Sequence, residues 1–499
     1  MSEAPATMSS LPNPALPTPA KSAPRTWADW PGRSALVVGL ARSGTAAARL
    51  LAARGLPVTA TDVRPAEALT AAGADLAGLE EAGVRVEAGR SDLALLDAAD
   101  VVVASPGVPP TAPLLAEADR RGVPVVAELE LAWQASAAPW VAITGTNGKS
   151  TTTALAGLLL EAAGKTVWVC GNIGQAASER AAAIPPDGVI VAEVSSFQLE
   201  RVVSFRPALA MVLNLTPDHL DRHLDLETYA ALKARVFARQ TADDRAVLNA
   251  DDPATSGWAR HFGLAARLAW FSRGPRALAI AEADGAFVDA DGNLVRVREG
   301  HRDVLLSSRA LRIPGPHNVS NALAAVCATL GQRLDAPQVK ALGEALAAFP
   351  GLEHRIEHAG TVGGVTFWND SKATNVDALE TALRAFPAPL VLIAGGRDKA
   401  GPWSSLAGLA SGKVGRLVLI GEAAGTIAKA WPRVPAERAA DLDDAVRRAW
   451  QAARALGTAP VVLSPGCASF DMFRDYEDRG RRFKAAVGAL AALAAREGA

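Results

Sequence analysis

Cysteine is scarce in this chain: three residues in 499, Cys170, Cys327 and Cys467, far apart and odd in number. That argues against a disulfide framework or a zinc site and fits a reducing cytosol. Long apolar runs are missing too. None approaches the ~18–20 residues that cross a bilayer, so no membrane insertion is expected. Excess charge is also lacking, with 51 Lys and Arg against 52 Asp and Glu and a formal net charge of −1. Such a balance makes no electrostatic case for nucleic acid or an anionic membrane. The first 32 residues hold no hydrophobic segment and are not a signal peptide. Their Pro, Ala, Ser and Thr content reads as a disordered tail. What is present is globular in character. The chain is 49% apolar and 21% charged, which calls for packed cores. At ~150 residues per domain, its length suggests about three domains.

The most informative stretch is Ile143-Thr144-Gly145-Thr146-Asn147-Gly148-Lys149-Ser150-Thr151. Residues 141–143 read as a buried strand. Residues 150–163 read as a helix that Gly164 ends. The turn between them directs successive backbone N–H groups, and a helix N-terminus, at one spot, which suits phosphate. Lys149 is expected to reach terminal phosphates and Ser150 to ligate Mg²⁺. The usual first glycine of such a loop is replaced by Ile143. The plainer alternative is a strand-to-helix turn with an exposed lysine.

Nearer the N-terminus, a strand from Ser34 runs into Gly39-Leu40-Ala41-Arg42-Ser43-Gly44 and a helix over 45–54. A second strand ends at Asp62, about twenty residues past the turn, as in a dinucleotide fingerprint. Ala41 stands at the middle glycine position, which weighs against a nicotinamide dehydrogenase. A diphosphate at the helix N-terminus suits the same geometry. Residues 101–104 read as another buried strand, followed by Ser105-Pro106-Gly107. Downstream of the phosphate loop, an apolar strand delivers Glu193, the position of an acid that holds Mg²⁺. Asp218-His219-Leu220-Asp221-Arg222-His223 is a dense polar loop in which His219 suits a metal ligand or a base. Residues 226–240 read as a helix with Tyr229, Leu232 and Val236 on one face. On that helix Lys233 reads, by itself, as a solvated lysine. Asn249 and Asp252 suit an adenine or ribose contact, and residues 265–313 read as short β segments with a turn at Asp291-Gly292. A helix opens after Gly315 and carries Asn318 and Asn321 near its start.

Taken together and in order, four motifs resemble the Mur ligases, ATP-dependent amino-acid ligases of peptidoglycan precursor synthesis. They are Gly145-Thr146-Asn147-Gly148-Lys149-Ser150-Thr151, Glu193-Val194-Ser195-Ser196-Phe197-Gln198-Leu199, Asp218-His219-Leu220-Asp221-Arg222 and His317-Asn318-Val319-Ser320-Asn321-Ala322. Three C-terminal segments match as well: Leu352-Glu353-His354-Arg355, Asn369-Asp370-Ser371-Lys372-Ala373-Thr374-Asn375, and Ser464-Pro465-Gly466-Cys467-Ala468-Ser469-Phe470. The resemblance runs from about Gly32 to the C-terminus. It implies an α/β protein of three domains: a Rossmann-like, UDP-binding domain over 33–128, a P-loop ATPase domain over 129–350, and a Rossmann-like, amino-acid-binding domain over 351–499.

The implied activity is that of an acid–amino-acid ligase joining D-glutamate to UDP-N-acetylmuramoyl-L-alanine through an acyl phosphate. ATP and two Mg²⁺ ions are the implied cofactors, in a cytoplasmic monomer. Carried over residue by residue, the resemblance assigns ATP to Gly145, Thr146, Asn147, Gly148, Lys149, Ser150, Thr151, Asn318, Asn321, Arg355, Asp370 and Lys372. The metal falls to Ser150, Glu193, His219 and, if carbamylated, Lys233. Lys149, His219, Lys233 and Arg355 take the catalytic roles. The UDP substrate falls to Ser43, Gly44, Asp62, Arg64, Ser105, Pro106, Gly107, Asn172 and His219. D-glutamate falls to Thr374, Lys399, Ser469, Phe470 and Tyr476, the last standing where the family often has Phe. Ser469 and the Phe470 N–H are expected at a helix N-terminus, a carboxylate seat. The alternatives are a ligase of the same superfamily adding another amino acid, folylpolyglutamate synthase, and a nucleotide-dependent switch. A switch would need neither the Asp-His cluster nor the C-terminal motifs.

Overall fold

The computed structural model describes residues 26–30, 32–274, 276, 283–398 and 401–497. Lys399 and nearly all of the expected tail lie outside the described residues. The chain divides into two compact units, residues 1–309 with 320–346 and residues 310–319 with 347–499. Each unit carries α/β sheets, as expected.

The first unit holds two sheets. In one, β1 (Ala35–Val38), β2 (Val58–Asp62), β3 (Arg85–Ala88), β4 (Val101–Ala104) and β5 (Val125–Ala127) lie in the order β3-β2-β1-β4-β5. All are parallel. β1 and β4 are short, continuous apolar runs, buried along their whole length, as strands covered on both faces must be. The strand order reverses between them, which leaves a crevice at their C-terminal ends.

The other sheet of this unit has nine strands: β6 (Trp140–Thr144), β7 (Val167–Gly171), β8 (Val189–Glu193), β9 (Leu209–Val212), β10 (Arg245–Asn249), β11 (Arg267–Ser272), β12 (Gly285–Val288), β13 (Asn293–Arg298) and β14 (His301–Ser307). The order is β14-β13-β12-β11-β10-β9-β6-β8-β7. The phosphate-loop strand β6 is flanked by β8, which brings Glu193 beside Ile143, and by β9, which brings Val212 beside Thr144. The last three strands pair antiparallel. Their β12–β13 turn is tied by Asp289 Oδ1, which accepts from Asp291 N and Asn293 N at 3.0 and 2.8 Å.

In the second unit, β15 (Glu357–Val362), β16 (Val365–Asn369), β17 (Leu390–Gly395), β18 (Val414–Ile420), β19 (Ala436–Arg438) and β20 (Val461–Leu463) lie in the order β15-β16-β20-β17-β18-β19. Only β15 runs antiparallel to its neighbour. The C-terminal ends of β16 and β20, adjacent in the sheet, deliver the Asn369–Asn375 and Ser464–Phe470 motifs.

Two helices differ from expectation. The helix expected over 226–240 is an α-helix only over Leu226–Ala234, then a short 3₁₀ turn over Arg235–Phe237. Every residue from Tyr229 to Ala234 is buried, so it has no apolar face as such; a helix buried all round belongs to the core. Ser469 does not open a helix. It heads a turn in which Met472 N and Phe473 N donate to its carbonyl at 3.2 and 2.9 Å. The helix begins only at Tyr476.

Candidate functional site

The phosphate loop is built by backbone conformation and by one asparagine. Gly148 has φ +84° and caps the Lys149–Ala162 helix. A Cβ there would lie 2.3 Å from Asn321 Oδ1, so only glycine fits. Asn214, just past β9, holds the loop from below. Its Oδ1 accepts from Asn147 N at 2.8 Å, and its Nδ2 donates to Asn147 O at 3.1 Å. Thr146 Oγ1 donates to Thr216 O at 3.1 Å and accepts from Thr216 N at 3.0 Å. Lys149 folds back over the loop, donating to Gly145 O at 3.0 Å and Thr146 O at 2.7 Å. Ser150 and Thr151, in the first helical turn, are buried.

Beneath the loop lies an unusual cluster. Lys233 is 1% exposed. Its Nζ donates to Gly145 O at 2.8 Å and stands 4.4 Å from the centre of the Tyr229 ring. Burial, and then the Lys149 charge, hold its ammonium well below the usual lysine range, against the pull of Asp218 and Glu193. The reading as a solvated lysine is therefore wrong. Helical position alone does not reveal which residue a nine-stranded sheet will cover. Glu193 is buried at the end of β8. Its Oε1 accepts from Asn172 Nδ2 at 2.7 Å, while Oε2 is buried with no hydrogen-bond partner among the described residues. An orphaned carboxylate oxygen beside a phosphate loop fits a divalent cation. Among the described residues no three His, Cys, Asp or Glu side chains gather as a metal cluster. His219 sits at φ +54°, with its ring centre 4.8 Å from that of Phe197 and Nε2 3.6 Å from Asp218.

At the crevice of the five-stranded sheet, the expected substrate residues fall into two kinds. Asp62 and Ser105 hold the loops. Asp62 Oδ2 accepts from Leu40 N at 2.8 Å, and its carboxylate takes a bidentate pair from Arg64 at 3.0 and 2.8 Å. Burial pushes Asp62 up, but these bonds outweigh it and leave its pKa below the ordinary value. Ser105 Oγ donates to Gly39 O at 2.7 Å. Gly44 permits the tight turn, since a Cβ there would collide with Gly39 O. Arg64 and Gly107, with Val63 and Pro109, line a cavity of about 560 Å³ over the ends of β1 and β2. Ser43 lies in the first turn of the Arg42–Ala53 helix. Asn249 and Asp252 are likewise occupied within their loop. Asn249 Nδ2 donates to Leu213 O at 2.8 Å, and Asp252 accepts from Leu215 N at 3.0 Å.

The second unit gathers a network of its own. Asp370 is buried; Ser464 Oγ donates to its Oδ2 at 2.8 Å and Ile356 N to its Oδ1 at 3.3 Å. Burial pushes its carboxyl up to about 7, against the Ser464 bond and the Arg355 charge. Arg355 follows His354 and precedes Ile356, both in the left-handed region at φ +65° and +44°. Lys372 N donates to His354 O at 3.0 Å, and Lys372 Nζ lies 5.3 Å from the centre of the Tyr476 ring. Thr374 N donates to Lys372 O at 2.9 Å. Ser469 is buried and Phe470 exposed. Asn318, at the start of the Pro316–Cys327 helix, donates to Pro314 O at 2.7 Å. One contributor is absent from the sequence reading. Arg479, fully buried, donates to Ser371 Oγ and O at 2.9 and 2.8 Å and to Cys467 O at 3.2 Å. It straps together the two loops that follow β16 and β20. Asn214 went unread for the same reason: a lone asparagine or arginine has no local signature.

Comparison with known proteins covers nearly the whole folded chain. Residues 33–127 match the Mur ligase MurD-like N-terminal domain, residues 143–329 the Mur ligase middle domain, and residues 354–466 the Mur ligase glutamate ligase domain. A protein of Acidobacterium capsulatum named UDP-N-acetylmuramoylalanine–D-glutamate ligase is 44% identical over 91% of this chain and 95% of its own. One of the same name from Geobacter metallireducens is 44% identical over 92% and 98%. Among solved structures, UDP-N-acetylmuramate-alanine ligase of Thermotoga maritima superposes with a TM-score of 0.53 at 20% identity, covering 92% of this chain and 99% of its own. The fold is thus shared well beyond recognisable sequence.

Proposed function

The chain belongs to the Mur ligase family, and from that premise we propose that it joins D-glutamate to UDP-N-acetylmuramoyl-L-alanine at the expense of ATP. The observation that carries the reading is the 44% identity, over nearly all of both chains, to relatives bearing that activity in their name. The geometry agrees with it. A phosphate loop, an orphaned carboxylate oxygen and a buried lysine adjoin one another in the first unit.

In this reading the γ-phosphate of ATP passes to the L-alanine carboxylate. The amine of D-glutamate attacks the acyl phosphate, and the tetrahedral adduct collapses to an amide and free phosphate, with ADP released. Phosphoryl transfer demands positioning and charge neutralisation rather than covalent help. Backbone N–H groups at the start of the Lys149–Ala162 helix would meet the phosphates, since those of Thr146 and Asn147 are spent on Asn214. Lys149 would leave its carbonyl contacts to meet the phosphates. Asn321, against Gly148 of the phosphate loop, would also meet the nucleotide. Ser150 and Glu193 would hold one Mg²⁺, and His219 with a carbamylated Lys233 a second. When bound, the ions neutralise phosphate charge. The depressed basicity of Lys233 supports carbamylation, because only a neutral amine takes up CO₂. Ser43, Gly44, Arg64, Pro106 and Gly107 would receive the UDP moiety, with Asp62 and Ser105 shaping their loops. Asn172 and His219 would approach the muramoyl-alanine end. Thr374, Lys399, Ser469, Phe470 and Tyr476 would receive D-glutamate.

The test is phosphate release with UDP-N-acetylmuramoyl-L-alanine while the amino acid is varied. Release should require D-glutamate and fail with L-glutamate, L-alanine and diaminopimelate. Turnover indifferent to D-glutamate would overturn the reading.

A further inference from the structure

Arg222 stands in the Asp-His-Leu-Asp-Arg motif but has no role in the reading above. Its side chain is only 14% exposed. The guanidinium makes a bidentate pair with Glu200, Nε to Oε1 at 2.8 Å and Nη2 to Oε2 at 2.6 Å. A fork spent on one carboxylate would suffice for a structural ion pair. This one goes further. Nη1 donates to Pro106 O at 3.1 Å and Nη2 to Val108 O at 3.3 Å, on the loop that follows β4 more than a hundred residues earlier. The same guanidinium lies 4.1 Å from the centre of the Phe197 ring. That ring meets His219 at 4.8 Å, edge-on. Arg222 N also donates to His219 O at 3.0 Å, closing the turn in which His219 adopts its left-handed backbone.

One side chain therefore spans two regions of the first unit. On one side are the carbonyls of the 105–108 loop, whose Ser105 is bonded back to Gly39 of the first glycine turn. On the other are Phe197, four residues past Glu193, and the His219 turn. Arginine suits the task because its planar fork has five donors and a face that stacks on an aromatic ring. Lysine would keep the charge but could not reach Glu200 and both carbonyls together.

We infer that Arg222 is a positioning residue that couples the 105–108 loop to the His219 turn, so that the nucleotide sugar and the ATP site report on each other's occupancy. This rests on the function proposed above. A ligand that orders the loop fixes the two carbonyls. Those carbonyls fix the guanidinium, and through Phe197 the guanidinium fixes the imidazole. Coupling of this kind is reciprocal between the two ligands.

The test measures the affinity of UDP-N-acetylmuramoyl-L-alanine by calorimetry, with and without a saturating non-hydrolysable ATP analogue and Mg²⁺. In the wild type the analogue should tighten binding by about fivefold or more. In Arg222→Lys the shift should fall below about twofold, with the melting temperature and the affinity for the analogue alone preserved. An Arg222 that merely neutralises Glu200 would be rescued by lysine, so a full shift in that variant overturns the inference. Phe197→Leu, which removes the shared ring but no charge, should lose the shift as well. It decides the question if the lysine variant does not fold. A wild type that binds the nucleotide sugar without any shift also overturns the inference but leaves the proposed function intact. A wild type that does not bind it at all removes both.

Discussion

Gly148 sits where a side chain has no room, with φ +84° and Asn321 Oδ1 2.3 Å from any added Cβ. Gly148→Ala should raise the KM for ATP and lower kcat by tenfold or more, since a strained left-handed residue costs about 1–3 kcal/mol and would also displace Asn321. Steady-state kinetics with the melting temperature measured alongside would check this. Lys233 lends itself to a rescue experiment. Lys233→Ala should lose most activity and regain part of it with added formate or acetate, small carboxylates that replace the carbamate oxygens; unchanged rates in the alanine variant would refute carbamylation. Glu128 supplies a pH signature away from the site. It is buried, its Oε1 accepts from Ser178 N at 2.5 Å, and its Oε2 has no partner among the described residues. Burial raises its pKa from 4.5 to about 7. The folded protein therefore holds a proton that the unfolded chain has released between those values. The stability this contributes is full below pH 4.5 and is lost as pH rises towards 7. Glu128→Gln should flatten that slope, read as the urea midpoint against pH, and a slope unchanged by the substitution would contradict the assignment.

Elements in this protein deliver their chemistry at the ends of parallel strands. β6, β8 and β9 lie side by side, so the phosphate loop, Glu193 and Asn214 converge although sequence separates them widely. Asn214→Ala would leave Asn147 N and O without their partner. Losing such bonds at a partly buried loop costs about 1–3 kcal/mol. The expected result is a raised KM for ATP with the KM for D-glutamate unchanged. In the second unit, Arg479 ties the loops after β16 and β20 from the Tyr476–Glu497 helix. Arg479→Met should weaken D-glutamate binding and leave UDP-N-acetylmuramoyl-L-alanine binding untouched, which ligand titrations would resolve. The strands around these loops were legible as apolar runs with glycine turns. The start of the helix near Ser469 was not, because Asp471 and Met472 continue a turn that only the neighbouring loops define.

At the scale of the whole molecule, the chain forms two compact units. Ligand at about a hundred times its dissociation constant stabilises the unit that holds it by about 2.7 kcal/mol. Scanning calorimetry should therefore show UDP-N-acetylmuramoyl-L-alanine raising the unfolding temperature of the unit containing residues 1–309 more than that of the other. A uniform rise of both would contradict the assignment of the nucleotide-sugar residues. Among the described residues no helix is long and apolar enough to cross a membrane, in line with the absence of a long apolar run.

Sequence alone determined the α/β class, the strand, glycine turn and helix around Gly145–Ser150 and the family, because these rest on local spacing: apolar runs of strand length, glycines at turns, and motifs in a set order. It also placed Glu193 at a strand end. Only the tertiary structure decided that Lys233 is buried where its ammonium is disfavoured, that Glu193 keeps one orphaned oxygen, and that Asp62, Ser105, Asn249 and Asp252 are occupied in holding loops. It alone revealed the reach of Arg222 and Arg479 across distant segments. Burial and hydrogen-bond partnership are properties of neighbours brought together by the sheets, and no run of adjacent residues encodes which neighbours those will be.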